Sequence, residues 1–313
     1  MSQNIQFKKL KDFLSCNDFN LKQITIDLNY ACLYYDELLS LGSSITKQEQ
    51  LNHLQLKLEE NQIGDEGAIS LSKYFLNCNS LNSLELYLNN NDIGDEGAFS
   101  LASNLTNCKN LTKLLIILSE NDLKSQGITD IGSAISKYEN LQTFYFCFYP
   151  KYCFPFWHGV QTIVSNEQID SWADAATNLG IGISICQNLQ NVFIDLRYNS
   201  IGAKGAQGLC IGLAKCQKLT SLTLILEHNY VCDNGLLLIL SELKKCQNLI
   251  LLGLYLEYNY FTDLGLLNAI EQFSSYQKLR ELHFNVLELD QRYLKSFCRK
   301  FIIKKSQHLV SIK

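Results

Sequence analysis

Proline is nearly missing from this chain. It occurs twice in 313 residues, where an average usage of about 5% would give roughly fifteen. Such scarcity fits a chain made of sheet ladders and helices, which proline breaks. Long hydrophobic runs are missing too: none approaches the roughly 18 residues needed to span a bilayer. The opening MSQNIQFKKLKD is polar and lacks the apolar centre of a secretory signal. An excess of basic charge is also absent. With 27 basic and 31 acidic residues the net charge is −4, which is not the footprint of a nucleic-acid binder. Disorder as the main state is excluded by 47% hydrophobic and 19% charged residues. At about 150 residues per domain, the length suits two ordinary domains or one elongated repeat domain. The twelve cysteines come without a secretory signal. They therefore read as thiols in a reducing, intracellular setting, most simply the cytoplasm, rather than as a disulfide scaffold.

What the chain has in excess is leucine, at 54 positions. Two stretches explain why: LNHLQLKLEENQIGDEGAISL from Leu51 and LNSLELYLNNNDIGDEGAFSL from Leu81. They lie 30 residues apart, and the same phase places leucine at 21, 51, 81, 111 and 141. The phase resumes at 189, 219, 249, 279 and 309, after one insertion of 18 residues between about Tyr149 and Ile169. Nine units fit, with a closing strand near Leu309–Ile312. The first half of each unit alternates with period two, as a strand does, while Leu71 with Phe75 and Leu101 with Leu105 show helical spacing. Each unit is read as strand, turn and helix. It cannot bury its apolar face alone, so the units stack and their strands become parallel neighbours.

The pattern L-x-x-L-x-L-x-L-x-x-N-x-I-G-x-x-G-x-x-x-L resembles the leucine-rich repeat, specifically the ribonuclease-inhibitor type. The resemblance covers about Leu21 to Lys313. Six units carry its asparagine: Asn61, Asn91, Asn121, Asn199, Asn229 and Asn259. It implies an α/β horseshoe solenoid with a parallel concave sheet and convex helices. The strand half is two residues longer than in the usual repeat, so a longer strand and a wider concave face are expected. Residues 1–20 are read as an N-terminal capping helix and 21–313 as a single leucine-rich-repeat domain, with its insertion near 150–168.

Most motifs have structural explanations. Asparagine after a strand can satisfy the backbone groups that a turn leaves inside, and can stack on the next asparagine. The I-G-D-E-G segments (Ile63–Gly67, Ile93–Gly97) lack P-loop, dinucleotide and calcium-loop spacing. Their glycines serve the turn, and Asp65 or Asp95 suits a helix start. Cys78, Cys108, Cys186, Cys216 and Cys246 form a column in which Tyr138 and Tyr276 also stand. That exchange, and the lack of any C-x-x-C, argues for packing rather than metal ligation. The five histidines show neither triad order nor zinc spacing. The chain is therefore read as non-enzymatic, without cofactor or metal.

The solvent-facing strand positions are more informative. The N-terminal units present Gln55, Lys57, Glu59, Glu85, Tyr87 and Asn89. The middle units present Leu115, Ile117, Tyr145, Tyr149, Phe193 and Ile225 where water is expected. A contiguous apolar patch marks a binding surface, and aromatic anchors dominate hot spots. The expected contacts for an unidentified protein partner are Tyr87, Leu115, Ile117, Tyr145, Tyr149, Trp157, Phe193, Ile225 and Tyr255, with Arg197, Glu227 and Glu257 for charge selectivity. The alternative is that the insertion folds over this patch. It holds both prolines, Pro150 and Pro155, and the aromatics Tyr152, Phe154, Phe156 and Trp157. Arg292, Lys295, Arg299, Lys300, Lys304 and Lys305 make the C-terminal end basic, and are read as the solvated face of a cap. The function expected is a protein-interaction module or scaffold. The second reading is a regulator of enzymatic activity, since similar repeats build GTPase-activating proteins and sensor receptors. Neither reading involves nucleic acid, and the oligomeric state is left open.

Overall fold

The computed structural model describes residues 4–151, 166–286 and 311–312. The chain parts into two compact units, Met1–Phe154 and Pro155–Lys313. The division falls inside the segment where the 30-residue period fails.

The first unit holds strands β1 (Ile5–Phe7), β2 (Gln23–Asp27), β3 (His53–Lys57), β4 (Ser83–Tyr87), β5 (Lys113–Ile117) and β6 (Thr143–Cys147). Between them lie helices α1 (Leu10–Leu14), α2 (Tyr35–Ile45), α3 (Gly64–Ser72), α4 (Asp95–Leu105) and α5 (Ser125–Ile135). The second unit starts with helix α6 (Asn166–Ile185). It continues as β7 (Asn191–Asp195), α7 (Gly202–Ala214), β8 (Ser221–Ile225), α8 (Asp233–Leu243), β9 (Leu251–Tyr255), α9 (Asp263–Phe273), β10 (Glu281–Asn285) and β11 (Ser311–Ile312).

Neighbouring strands within each unit are parallel, and the spacing is the period itself. His53 pairs with Ser83 and Ser83 with Lys113; Asn191 pairs with Ser221 and Ser221 with Leu251. Residues 1–20 contain more than a helix. Strand β1 pairs with β2, Ile5 opposite Ile24, and the Phe7 ring meets Phe13 edge-on at 5.1 Å. This covers the backbone edge that β2 would otherwise expose. Each repeated strand is five residues long, yet the ladder continues past it. Leu58 N donates to Tyr87 O at 2.9 Å and Glu60 N to Asn89 O at 3.0 Å. Helix α6 runs for 20 residues, against 11 for α4, α5, α8 and α9. Its first three residues belong to the insertion.

The period-two pattern supplies the core. Leu54, Leu56 and Leu58, like Leu84, Leu86 and Leu88 in the next repeat, are fully buried. Each such side chain contributes about 1.5–3 kcal/mol relative to exposure. At the turn the backbone is forced. Glu60 and Gln62 flank Asn61 with positive φ, and so do Asn90 and Asp92 around Asn91, and His228 and Tyr230 around Asn229. A left-handed non-glycine residue costs roughly 1–2 kcal/mol. The asparagine side chain between them offsets that cost. Asn91 Oδ1 accepts from Asn61 N at 2.9 Å, and Asn91 Nδ2 donates to Leu58 O at 2.8 Å and to Asn89 O at 3.0 Å. Asn229 repeats the arrangement on Asn199 N, Leu196 O and Glu227 O.

The helix-start acids act across repeats. Asp65, in the first turn of α3, accepts from Gly94 N at 2.7 Å and Gly97 N at 2.9 Å, so it caps α4. Asp95 does the same for α5 through Lys124 N and Gly127 N, both at 2.8 Å. Neither α4 nor α5 has a side-chain cap from its own N-cap residue. Asp65→Ala is therefore expected to cost about 1–2 kcal/mol. The check is a thermal melt of the variant against Glu66→Ala, which removes a neighbouring first-turn acid. Equal melting of the two variants would contradict cross-repeat capping.

Candidate functional site

Strand alternation sends one set of side chains into the core and the other to the open sheet face. On the first unit that face begins as a polar network around Glu85, which is only 7% exposed. Its carboxylate accepts from Gln55 Nε2 at 2.6 Å, Lys113 Nζ at 2.6 Å and the Tyr87 hydroxyl at 3.2 Å. Burial alone would raise its pKa, but the Lys113 ammonium and the Gln55 amide outweigh that and hold it below the usual range. Lys57 Nζ lies 5.9 Å from the Tyr87 ring centre, within cation–π reach. Tyr87 is thus tied into this network at both its hydroxyl and its ring.

The face then turns apolar. Leu115 on β5 pairs with Tyr145 on β6, and Ile117 with Cys147, all half-buried. Beyond β6, the Tyr149 hydroxyl donates to Glu120 Oε1 at 3.1 Å.

On the second unit, Phe193 pairs with Thr223 and Thr223 with Gly253; Asp195 pairs with Ile225 and Ile225 with Tyr255. Arg197 folds back on its own strand. Its Nε lies 3.0 Å from both Asp195 oxygens, its Nη2 2.7 Å from Oδ2, and its Nη1 3.6 Å from Glu227. The guanidinium is therefore largely neutralised within the chain. Glu227 is different: burial pushes its pKa up, Arg197 opposes this, and the Glu257 and Asp195 carboxylates add to the rise. Tyr255 reaches His283 Nδ1 at 3.4 Å, and His283 Nε2 reaches Glu281 at 2.7 Å.

The first unit thus brings Leu115, Ile117, Tyr145 and Tyr149 to its open side. The second brings Phe193, Arg197, Ile225, Glu227, Tyr255 and Glu257. Trp157, with insertion residues 152–165, lies outside the described residues, and so do the basic positions from Arg292 to Lys305.

One feature escapes a reading confined to strands. Where strand gives way to turn in the second unit, Tyr198, His228 and Tyr258 stack ring on ring. Centroids are 4.3 and 4.2 Å apart and the planes lie within 14°. Two residues later, Tyr230 and Tyr260 approach to 5.6 Å. Reading the columns beside Asn199, Asn229 and Asn259 at the 30-residue period would find all five.

The cysteine column lies where helix returns to strand. The Cys108 thiol donates to Phe75 O at 3.4 Å, and the Cys216 thiol to Ile183 O at 3.4 Å. The Tyr276 hydroxyl likewise donates to a carbonyl of the helix in the preceding repeat, Leu240 O, at 2.8 Å. Burial pushes the Cys216 and Cys246 thiols up to about 12, so they stay protonated and poor as nucleophiles. A cavity of about 380 Å³ opens beside Ile45, Gln48, Leu51 and Cys78, and its lining carries no histidine. Among the described residues no three His, Cys, Asp or Glu side chains gather in a way that could hold a metal ion. No helix among them is long and apolar enough to cross a membrane.

A family model described as a leucine-rich repeat matches residues 50–72, 77–102 and 193–210. No curated protein matches the chain. Repeats of this family generally mediate protein–protein interaction and are typically non-enzymatic. The matched segments cover the strand–turn–helix unit that recurs in register at 30 residues through both units. With parallel strands alternating with helices around a leucine core and an asparagine turn, each unit carries leucine-rich repeats in the α/β arrangement of that fold.

Proposed function

We propose that this chain is a non-enzymatic protein-interaction module that captures a protein partner on its open sheet face. What carries the reading is the set of half-exposed large side chains at strand positions that alternation turns toward water: Leu115, Ile117 and Tyr145 on one unit, Phe193, Ile225 and Tyr255 on the other. Large apolar groups there do not complete the helix-facing core, and such groups are the usual anchors of protein interfaces. The ribonuclease-inhibitor type and a cytoplasmic site of action belong to the same proposal. Cys108, Cys210, Cys216 and Cys246 are free, buried thiols, as suits a reducing compartment.

The test is affinity capture with wild type and the Tyr145→Ala/Phe193→Ala variant, alongside thermal melts. Wild type is expected to retain a defined set of proteins that the variant loses, while the variant still unfolds cooperatively. Identical retained sets would contradict an interface on the sheet face.

A further inference from the structure

The turn that ends each strand is built twice over from different residues. Each of the six repeats that carry the asparagine holds a left-handed residue beside it. In the first unit those places hold Glu60, Gln62, Asn90, Asp92 and Glu120; Tyr30, at the first turn, is the one aromatic. In the second unit four of the five such places hold rings, Tyr198, His228, Tyr230 and Tyr258, and the fifth holds Ser200. Asparagine, aspartate and histidine tolerate this conformation, whereas a bulky ring such as tyrosine is an outlier in it. The first unit therefore shows that the turn does not need aromatics. Their use in the second unit answers to something other than folding, and strained positions of this kind cluster at binding surfaces.

The rings are also presented. Tyr258 is 58% and Tyr260 64% exposed, at the C-terminal ends of the strands. The chemistry beside them is acidic. Glu227 and Glu257 precede His228 and Tyr258, and the Glu257 and Asp195 carboxylates raise the electrostatic cost of a negative charge at Glu227. Asp195 is the third carboxylate of this cluster. Among the described residues the cation within 4 Å of it is Arg197, which Asp195 already holds in a bidentate grip. The guanidinium contacts Asp195 and Glu227, and no ion pair joins it to Glu257. Arg197 displays the complement the cluster accepts: a planar guanidinium lying between acids of successive repeats.

We propose that the ledge formed by Tyr198, His228, Tyr230, Tyr258 and Tyr260 docks an arginine-bearing peptide segment of a protein partner, with Glu227 and Glu257 receiving its guanidinium group. Arginine is the fitting cation because it stacks on aromatic faces and pairs with carboxylates through a planar fork, which lysine does not. Phosphate-bearing ligands are repelled by the same acids. This inference rests on the reading of the chain as a protein-binding module and adds the class of partner segment.

The experiment uses the full chain at physiological ionic strength. Fluorescein-labelled hexa-arginine, hexa-lysine, hexaglutamate and oligothymidylate are titrated and followed by fluorescence anisotropy. Hexa-arginine is expected to bind at least about ten-fold tighter than hexa-lysine, and the two anionic probes not to bind. Tyr258→Asn/Tyr260→Asn puts at position 258 the residue type found at Asn90, so the turn is kept. This pair and Glu227→Gln/Glu257→Gln are each expected to weaken hexa-arginine by ten-fold or more. Lys57→Ala, on the first unit, is expected to change nothing. Melting curves matching wild type establish that the variants fold. Equal affinity for the two cationic probes would reduce the effect to net charge and overturn the proposal. So would unchanged hexa-arginine binding in either pair, or preference for oligothymidylate. If the sheet-face variant loses its captured proteins while the ledge variants keep theirs and bind hexa-arginine normally, the ledge falls and the interaction module stands. If hexa-arginine binding follows the ledge but wild type captures no protein, the interaction module falls and the peptide site stands.

Discussion

Asn91→Ala is expected to lower the free energy of unfolding by about 3 kcal/mol. The asparagine is fully buried, and its side chain serves three different segments. Its oxygen accepts from Asn61 N at 2.9 Å and Ile63 N at 3.4 Å, in the preceding repeat. Its amide donates to Leu58 O at 2.8 Å, where the preceding strand ends, and to Asn89 O at 3.0 Å, two residues back in its own turn. Alanine leaves Asn61 N and Leu58 O without these partners, while Asn89 O keeps its bond from Glu60 N. Each unsatisfied buried group costs about 1–3 kcal/mol, and a water admitted to the vacated space recovers part of it. The cost also reaches the backbone, because Asn90 and Asp92 are held left-handed on either side. Urea denaturation followed by far-UV circular dichroism gives the comparison. An informative second variant is Asn91→Asp, which keeps the acceptor and loses both donors, and should fall short of wild type too. If the alanine variant unfolds at the wild-type urea concentration, the side-chain ladder is not what holds the turn. Stability in repeat arrays is a sum over neighbours, so the loss can also split the transition into two steps.

The sheet was legible in the sequence because its repeat is covalent. Leu54, Leu84 and Leu114 occupy one slot at one spacing, and the observed register is that spacing. The asparagine positions were legible for a related reason: a polar residue recurring inside an apolar pattern needs a partner for every buried group. The partners themselves were not legible. Asp65 sits where a helix-start acid is favourable for its own helix, yet its bonds go to Gly94 and Gly97 in the next repeat. Sequence adjacency pointed one way and the stacking of repeats another. Arg197 is a second case. Its position promised a charge offered to a partner, but Asp195, two residues earlier on the same strand, reaches it first. The aromatic ledge escaped because period-two alternation singles out strand positions, and Tyr198, His228 and Tyr258 lie just past them. Their left-handed backbone has no local signal, since neither glycine nor asparagine marks it.

The open faces of the two units differ in how they hold charge. Around Glu85, the ammonium, amide and hydroxyl groups satisfy one carboxylate from within the chain. Around Glu227, burial and two neighbouring carboxylates work against ionisation, and Arg197 alone opposes them. A self-satisfied network favours a fixed surface, whereas an under-neutralised one gains from an added cation. By that contrast, an added cation gains more on the open face of the second unit than on that of the first.

Gly212→Ala is expected to destabilise the second unit by about 3 kcal/mol, although alanine is the better helix former by about 1 kcal/mol. The reason is the approach of α6 to α7. A Cβ on Gly212 would lie 1.9 Å from the carbonyl oxygen of Gly180, and one on Gly180 would lie 2.7 Å from Gly208 O. The obstacle is backbone, so no rotamer change relieves it, and the helices must separate. Overpacking in a filled interior typically costs 1–3 kcal/mol, occasionally more, and separation also weakens the contacts around buried Leu179, Ile183 and Leu209. Gly64→Ala provides the contrast. That glycine has φ +60° and nothing within 4 Å of the added methyl, so its cost is conformational alone, about 1 kcal/mol. Thermal unfolding of both variants should therefore rank Gly212→Ala well below Gly64→Ala. The reverse order would mean that turn geometry, rather than contact between helices, sets the tolerance of this repeat to a single methyl group.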